Sequence, residues 1–234
     1  MASEHLSKQY DSELETLRSS VLQMGGLVKS QIRSAIDAFG TGDPALIDQV
    51  IATEFKVDEF EVSIDNNCSH IIVKRQPAAS DLRLIMAIMK TVTDLERIGD
   101  EAEKIARMSR QIHERGKAQL SSFANIRHAA DAAIAMLRQA LDAFARLDPA
   151  EAAKVIREDV AIDNEFRSIL RQLITFMMED PRTISMALEI VWIAKAVERI
   201  GDHAKNIAEE VIYIVKGTDI RHTRFIETER EPLG

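Results

Sequence analysis

The chain has 234 residues, enough for one large domain or two small ones with a sizeable buried core. A formal net charge of -8 argues against a nucleic-acid partner, because binding to phosphates needs a basic footprint. Only 9 Gly, 5 Pro and 5 % aromatics, set among abundant Ala, Leu, Ile, Met, Glu, Lys and Arg, favour helix over strand.

Met1 to Leu17 is polar and acidic, unlike a signal peptide. No run approaches the ~20 apolar residues that a membrane span requires. Cys68 is the only cysteine, so an intramolecular disulfide is excluded and a reducing compartment fits. The expected location is cytoplasmic, without direct membrane insertion, a membrane being reached only by docking onto something else.

In chain order, helices are expected over 4–39, 44–75, 81–115, 121–145, 149–178 and 183–216. The Asp-Pro pairs Asp43-Pro44, Asp148-Pro149 and Asp180-Pro181 join a favoured N-cap to a residue suited to the first helical position. Asp148 followed by Glu151 has the spacing of a capping box. Gly40, Gly42, Gly116 and Gly217 fall where helices should stop; Pro77 closes a segment, and Ser80 or Asp81 can cap the next. Leu82, Ile85, Met89, Val92, Leu95, Ala102, Ile105 and Met108 recur at three- and four-residue steps, a helical period.

The strongest signal is internal. Glu96-Arg97-Ile98-Gly99-Asp100 recurs as Glu198-Arg199-Ile200-Gly201-Asp202, 102 residues later. Ala38-Phe39 to Asp43-Pro44 recurs as Ala143-Phe144 to Asp148-Pro149, 105 residues later. The expected fold is therefore all-α: two tandem, repeated three-helix bundles over 1–118 and 119–217, with a mobile tail over 218–234.

Glu96 and Asp100 are four apart and share a helix face, as do Glu198 and Asp202. The preceding helix of each unit carries its own pair, Glu54 with Asp58 and Asp159 with Asp163. If adjacent antiparallel helices bring these pairs together, each unit gains a cluster of carboxylates. Oxygen-only donors without Cys suit Mg²⁺, Mn²⁺, Ca²⁺ or oxidised iron better than structural zinc. The plainer reading is salt bridging across helices by Arg97, Arg199, Lys104 and Lys205. Gly99 and Gly201 lower helix propensity, which a close helix contact would offset.

Other residues offer less. His203 and Asn206 are accessory-ligand candidates at best, and more simply polar surface. Glu61 and Asp65 read as solvated surface, because their counterparts are Phe166 and Leu170. Met177 and Met178 read as core filler. No GxxxxGK[ST], GxGxxG, GxSxG or Glu-x-x-His is present, so no catalytic set can be nominated and no enzyme is expected.

Lys74-Arg75-Gln76-Pro77-Ala78-Ala79-Ser80-Asp81-Leu82-Arg83, followed by Asp94 to Asp100 and its duplicate, resembles the PhoU family over about residues 5–217. That resemblance implies a homodimer and a non-catalytic negative regulator of the phosphate-starvation response. Its implied partners are a phosphate ABC transporter ATPase and a phosphate-sensing histidine kinase. It also implies metal motifs, carried here by Glu54, Asp58, Glu96, Asp100, Asp159, Asp163, Glu198 and Asp202. The second unit opens its first motif with Asp159 rather than Glu, a shorter arm. Divalent or iron ions are thus expected at the acidic pairs. The rival readings are a metal-storage protein and a metal-dependent phosphohydrolase.

Overall fold

Helix formation begins at the caps. In this computed structural model, which describes residues 8–114 and 123–220, Asp43 accepts a hydrogen bond from Ala45 N at 2.9 Å and starts α2 (Pro44–Arg75). Asp148 accepts from Ala150 N and Glu151 N at 2.9 and 3.1 Å and starts α5 (Pro149–Glu179). The capping box there is half made, because Glu151 turns to Lys154 instead of back to the cap. Asp180 accepts from Arg182 N and opens a short 3₁₀ turn, Pro181–Thr183, before α6 (Ile184–Lys216).

The remaining helices are α1 (Lys8–Thr41), α3 (Ala79–Glu114) and α4 (Phe123–Arg146); no strand occurs among the described residues. Of the glycines expected at helix stops, Gly42 and Gly217 do end helices, Gly40 does not, and Gly116 lies outside the described residues. Gly40 lies inside the last turn of α1, and Gly42, at a φ of 67°, ends the helix with its N–H on Ala38 O. Gly217, at a φ of 72°, closes α6 in the same left-handed way. Ser80 and Asp81 do not cap α3 but lie in its first turn, where Asp81 is buried and accepts a hydrogen bond from the Tyr10 hydroxyl at 3.2 Å. The proposed unit boundary at 118/119 and residues 221–234 of the tail lie outside the described residues.

The fold is two three-helix units, α1–α3 and α4–α6, fused along one seam. Across it Lys90 meets Glu210, Asp94 meets His203 and Asn206, and Glu101 meets Arg199. Numbers rising on α3 as they fall on α6 show that these helices run antiparallel. Helices α1 and α4 pack the same way, with Gly25 against Leu141, Arg18 donating to Ala145 O, and the Phe39 and Phe123 rings 5.6 Å apart.

The apolar stripes of all six helices merge in one continuous core, in which Phe39 and its counterpart Phe144 are fully enclosed. Met177 packs against that core, whereas Met178 projects into solvent at 79 % exposure and is no filler.

Candidate functional site: two carboxylate faces

Helices α2 and α3 bring the first set of carboxylates together. Glu54 is only 7 % exposed. Its Oε2 accepts a hydrogen bond from Gln31 Nε2 at 2.7 Å, while Oε1 is buried with no hydrogen-bond partner. Gly99 makes room for it: a Cβ there would sit 2.8 and 2.9 Å from the two Glu54 oxygens. Gly99 therefore sits at the close helix contact expected from the sequence, and its missing side chain holds the space for a carboxyl group.

Burial is the main reason the Glu54 carboxyl is pushed up to about 7, opposed by the Gln31 hydrogen bond and reinforced by Asp100, Asp58 and Glu103. Glu96 is also raised, by burial and then by Asp100. Arg97 spans Glu96 and Asp100 at 3.4 and 3.5 Å on its own helix. Glu61 and Asp65 prolong the acidic stripe and are not simple solvated surface. Both are partly buried, burial raises both carboxyls, and Asp65 Oδ1 is enclosed without a hydrogen-bond partner.

Helices α5 and α6 build the second set. Asp163, Glu198 and Asp202 each offer an oxygen within 4.8 Å of the others, the one such trio among the described residues. Burial, then Glu198 and Asp159, hold the Asp202 carboxyl above its ordinary range. Asp159, as buried as Glu54, faces a different partner: Lys205 Nζ donates to its Oδ2 at 2.8 Å. Lys195 Nζ donates to Glu198 at 2.5 Å and lies 5.4 Å over the Phe166 ring. A Cβ at Gly201 would sit 3.0 Å from Ile162 Cδ1 rather than against a carboxylate.

All eight carboxylates expected from the sequence thus lie on two faces, four on each. Of the basic residues expected to bridge helices, only Lys205 does so within a cluster. Arg97 pairs along its own helix, and Arg199 and Lys104 both go to Glu101 at the seam. His203 and Asn206 are also seam residues, bonded to Asp94 at 2.8 and 3.0 Å. Sequence reasoning missed Gln31, Glu103 and Lys195. The signal was available: 102 residues separate Thr93 from Lys195 and Glu103 from Lys205, so the same helix positions differ in charge between the units.

The first face has the donor chemistry of a hard, oxygen-ligated cation, one oxygen being a buried, unpartnered atom beside a glycine-made gap, although its carboxylates do not converge as Asp163, Glu198 and Asp202 do. Cys68 offers no accessible nucleophile. Burial pushes the Cys68 thiol up to about 12, and Cys68 is enclosed in the core.

Fold and site together define a class: a duplicated three-helix bundle with acidic faces and no helix long and apolar enough to cross a membrane among the described residues. The PhoU domain model matches twice, at residues 21–109 and 126–211, and the chain belongs to that family. It is 50 % identical over 218 residues to the "Phosphate-specific transport system accessory protein PhoU homolog" of Pseudomonas putida, covering 93 % of this chain and 85 % of that one. The crystal structure of PhoU from Pseudomonas aeruginosa superposes with a TM-score of 0.86 at 48 % identity, covering 89 % of this chain and all of that one. The phosphate transport system regulatory protein PhoU from Streptococcus pneumoniae gives a TM-score of 0.82 at 26 % identity, covering 90 % and 98 %.

Proposed function

We propose that this chain is a non-catalytic, negative regulator of phosphate uptake and of the phosphate-starvation response. It works in the cytoplasm as a homodimer. Its partners are the ATPase of a phosphate ABC transporter and a phosphate-sensing histidine kinase. The observation that carries this reading is the PhoU match in both repeats, together with relatives whose names describe transport accessory and regulatory proteins.

Its surface supports protein binding. Exposed apolar residues fall at equivalent places in the two units: Phe55 and Val160, Val73 and Met178, Leu82 and Ile184, Met86 and Leu188. Exposed apolar groups held at matched positions on long helices offer anchors for a partner surface. Regulation then follows from mass action: a protein that prefers one state of the transporter or kinase shifts that equilibrium by its differential affinity.

The acidic faces form the second part of the reading. Glu54, Asp58, Glu96 and Asp100 hold a divalent or iron ion, which supplies positive charge to Glu54 and Asp58, the two carboxylates that Arg97 does not reach. Asp159, Asp163, Glu198 and Asp202 form the corresponding face of the second unit.

The test is affinity capture from cells grown in high and low phosphate, with mass spectrometry of what co-purifies. Recovery of the transporter ATPase or the sensor kinase, more strongly in one condition, is the expected result. Recovery of neither in either condition contradicts the regulatory reading.

A further inference from the structure

The two faces are built on equivalent helix positions but differ in what neutralises them. Thr93 of α3 corresponds to Lys195 of α6, Glu103 to Lys205, Glu61 of α2 to Phe166 of α5, and Gln31 of α1 to Met136 of α4. In the second unit, two ammonium groups already sit among the carboxylates, on Asp159 and Glu198. Lys205 is partly buried, and its Nζ donates to Asp159 Oδ2 at 2.8 Å.

The first unit has no lysine at these positions; the cation in its cluster is the half-exposed Arg97, which pairs with Glu96 and Asp100 along its own helix and leaves Glu54 and Asp58 unpaired. The Thr93 hydroxyl donates to Glu61 at 3.4 Å, and Glu103 adds a negative charge whose bridge goes outward to Arg107 at 2.6 Å. Neither Glu54 nor Asp58 has a basic partner among the described residues. An unpaired buried carboxylate is costly unless it is neutralised by a proton or a cation.

We infer that the second unit carries its own cation, with the Lys195 and Lys205 ammonium groups excluding a metal ion from Asp159, Asp163, Glu198 and Asp202, so that only the first unit takes a metal ion. The inference rests on the reading that the first acidic face holds a hard cation. The close approach of Asp163, Glu198 and Asp202 is consistent with it, because a neighbouring ammonium offsets the repulsion that would otherwise spread them. Lys195 and Lys205 are thus positioning and selectivity residues, identified by repeat comparison and by their place in the cluster.

The experiment is a calorimetric Mn²⁺ titration of the full chain, with thermal melts with and without Mn²⁺. Two charge exchanges are compared with the unaltered protein: Thr93→Lys/Glu103→Lys and Lys195→Thr/Lys205→Glu. The unaltered chain is expected to bind one ion per chain. The first exchange should weaken that event about tenfold or more, since charge and ligand count set such affinities. The second should add another binding event, and its melting temperature should rise with Mn²⁺ through linkage. Lys205→Gln serves as a milder opening of the second site if the double exchange does not fold, and it is expected to add weaker binding.

Unchanged binding in Thr93→Lys/Glu103→Lys would place the ion in the second unit and overturn the inference. An unaltered chain that binds one ion and a Lys-exchanged chain indistinguishable from it would overturn the inference while leaving the cation reading intact. An unaltered chain that binds none, beside a Lys-exchanged chain that gains binding, would remove the cation reading and uphold exclusion by lysine. No binding in any variant removes both.

Discussion

The two units share a packing scheme and part company at their acidic faces. Phe39 and Phe144, 105 residues apart, occupy the same enclosed place, and Gly99 and Gly201 sit at the same position in their helices. Yet Gly99 makes space for the Glu54 carboxyl and Gly201 for the Ile162 methyl, while Gln31 serves Glu54 and Lys205 serves Asp159. Core positions answer to volume, which both units need alike. Residues lining a polar face answer to charge, and a single Glu-to-Lys exchange at one helix position alters what the face can bind without disturbing the packing beneath it.

The largest test of this contrast lies in the core. Phe39→Ala and Phe144→Ala should each cost about 3–5 kcal/mol in denaturant unfolding, because each leaves a large cavity. Near-equal losses would support equivalence of the two cores; a loss confined to one unit would break it.

The acidic faces come next. Burial, with Asp100, Asp58 and Glu103 close by, raises the folded Glu54 pKa to about 7 from an ordinary 4.5. The folded chain therefore binds more protons than the unfolded chain between those values. The associated stability is complete below about pH 4.5 and is lost as pH rises through about 7. Metal-free Glu54→Gln should remove that decline and be more stable at pH 8 by roughly 1–3 kcal/mol. A pH profile unchanged by the substitution would contradict the buried-carboxyl account.

The glycines should separate the units more finely. Gly99→Ala forces a methyl against a hydrogen-bonded carboxyl and should destabilise by about 1–2 kcal/mol. Gly201→Ala meets the mobile end of Ile162 and gains helix propensity, so it should stay within about 0.5 kcal/mol of the parent. Equal melting temperatures for the two variants would erase the distinction.

The smallest effects belong to the caps. Asp148→Ala should cost about 1 kcal/mol and Asp43→Ala somewhat less, because Asp148 serves two backbone N–H groups and Asp43 one. Thermal denaturation of the two variants measures the difference.

Most of the architecture could be read directly from the residues. Asp-Pro caps, three- and four-residue apolar spacing and a repeated pentapeptide are local signals; Asp43-Pro44 and Asp148-Pro149 start α2 and α5 as expected, whereas Asp180-Pro181 opens a 3₁₀ turn ahead of α6. Endings that depend on the backbone's left-handed turn were less legible. Gly42, rather than Gly40, ends α1 because it adopts the positive φ, and Ser80 and Asp81 were absorbed into a helix that starts earlier.

The eight carboxylates were legible from their spacing, and cross-helix bridging by Lys205 was expected, but which carboxylate it meets, and the parts of Gln31 and Lys195, were not legible. Lys205 lies four positions after Gly201 on the same helix, and nothing in that spacing shows that it reaches Asp159 across the helix pair. Gln31 lies 23 residues before Glu54 and meets it only through the packing of α1 on α2. Side-chain reach between elements is a property of the assembled fold, which one-dimensional periodicity does not encode.

The central claim is that the two acidic faces are unequal, one open to a metal ion and one closed by lysine. The most direct measurement is anomalous diffraction from crystals of the full chain grown with Mn²⁺. The account predicts a peak among Glu54, Asp58, Glu96 and Asp100, and none among Asp159, Asp163, Glu198 and Asp202. A peak on the second face, or on neither, would contradict it.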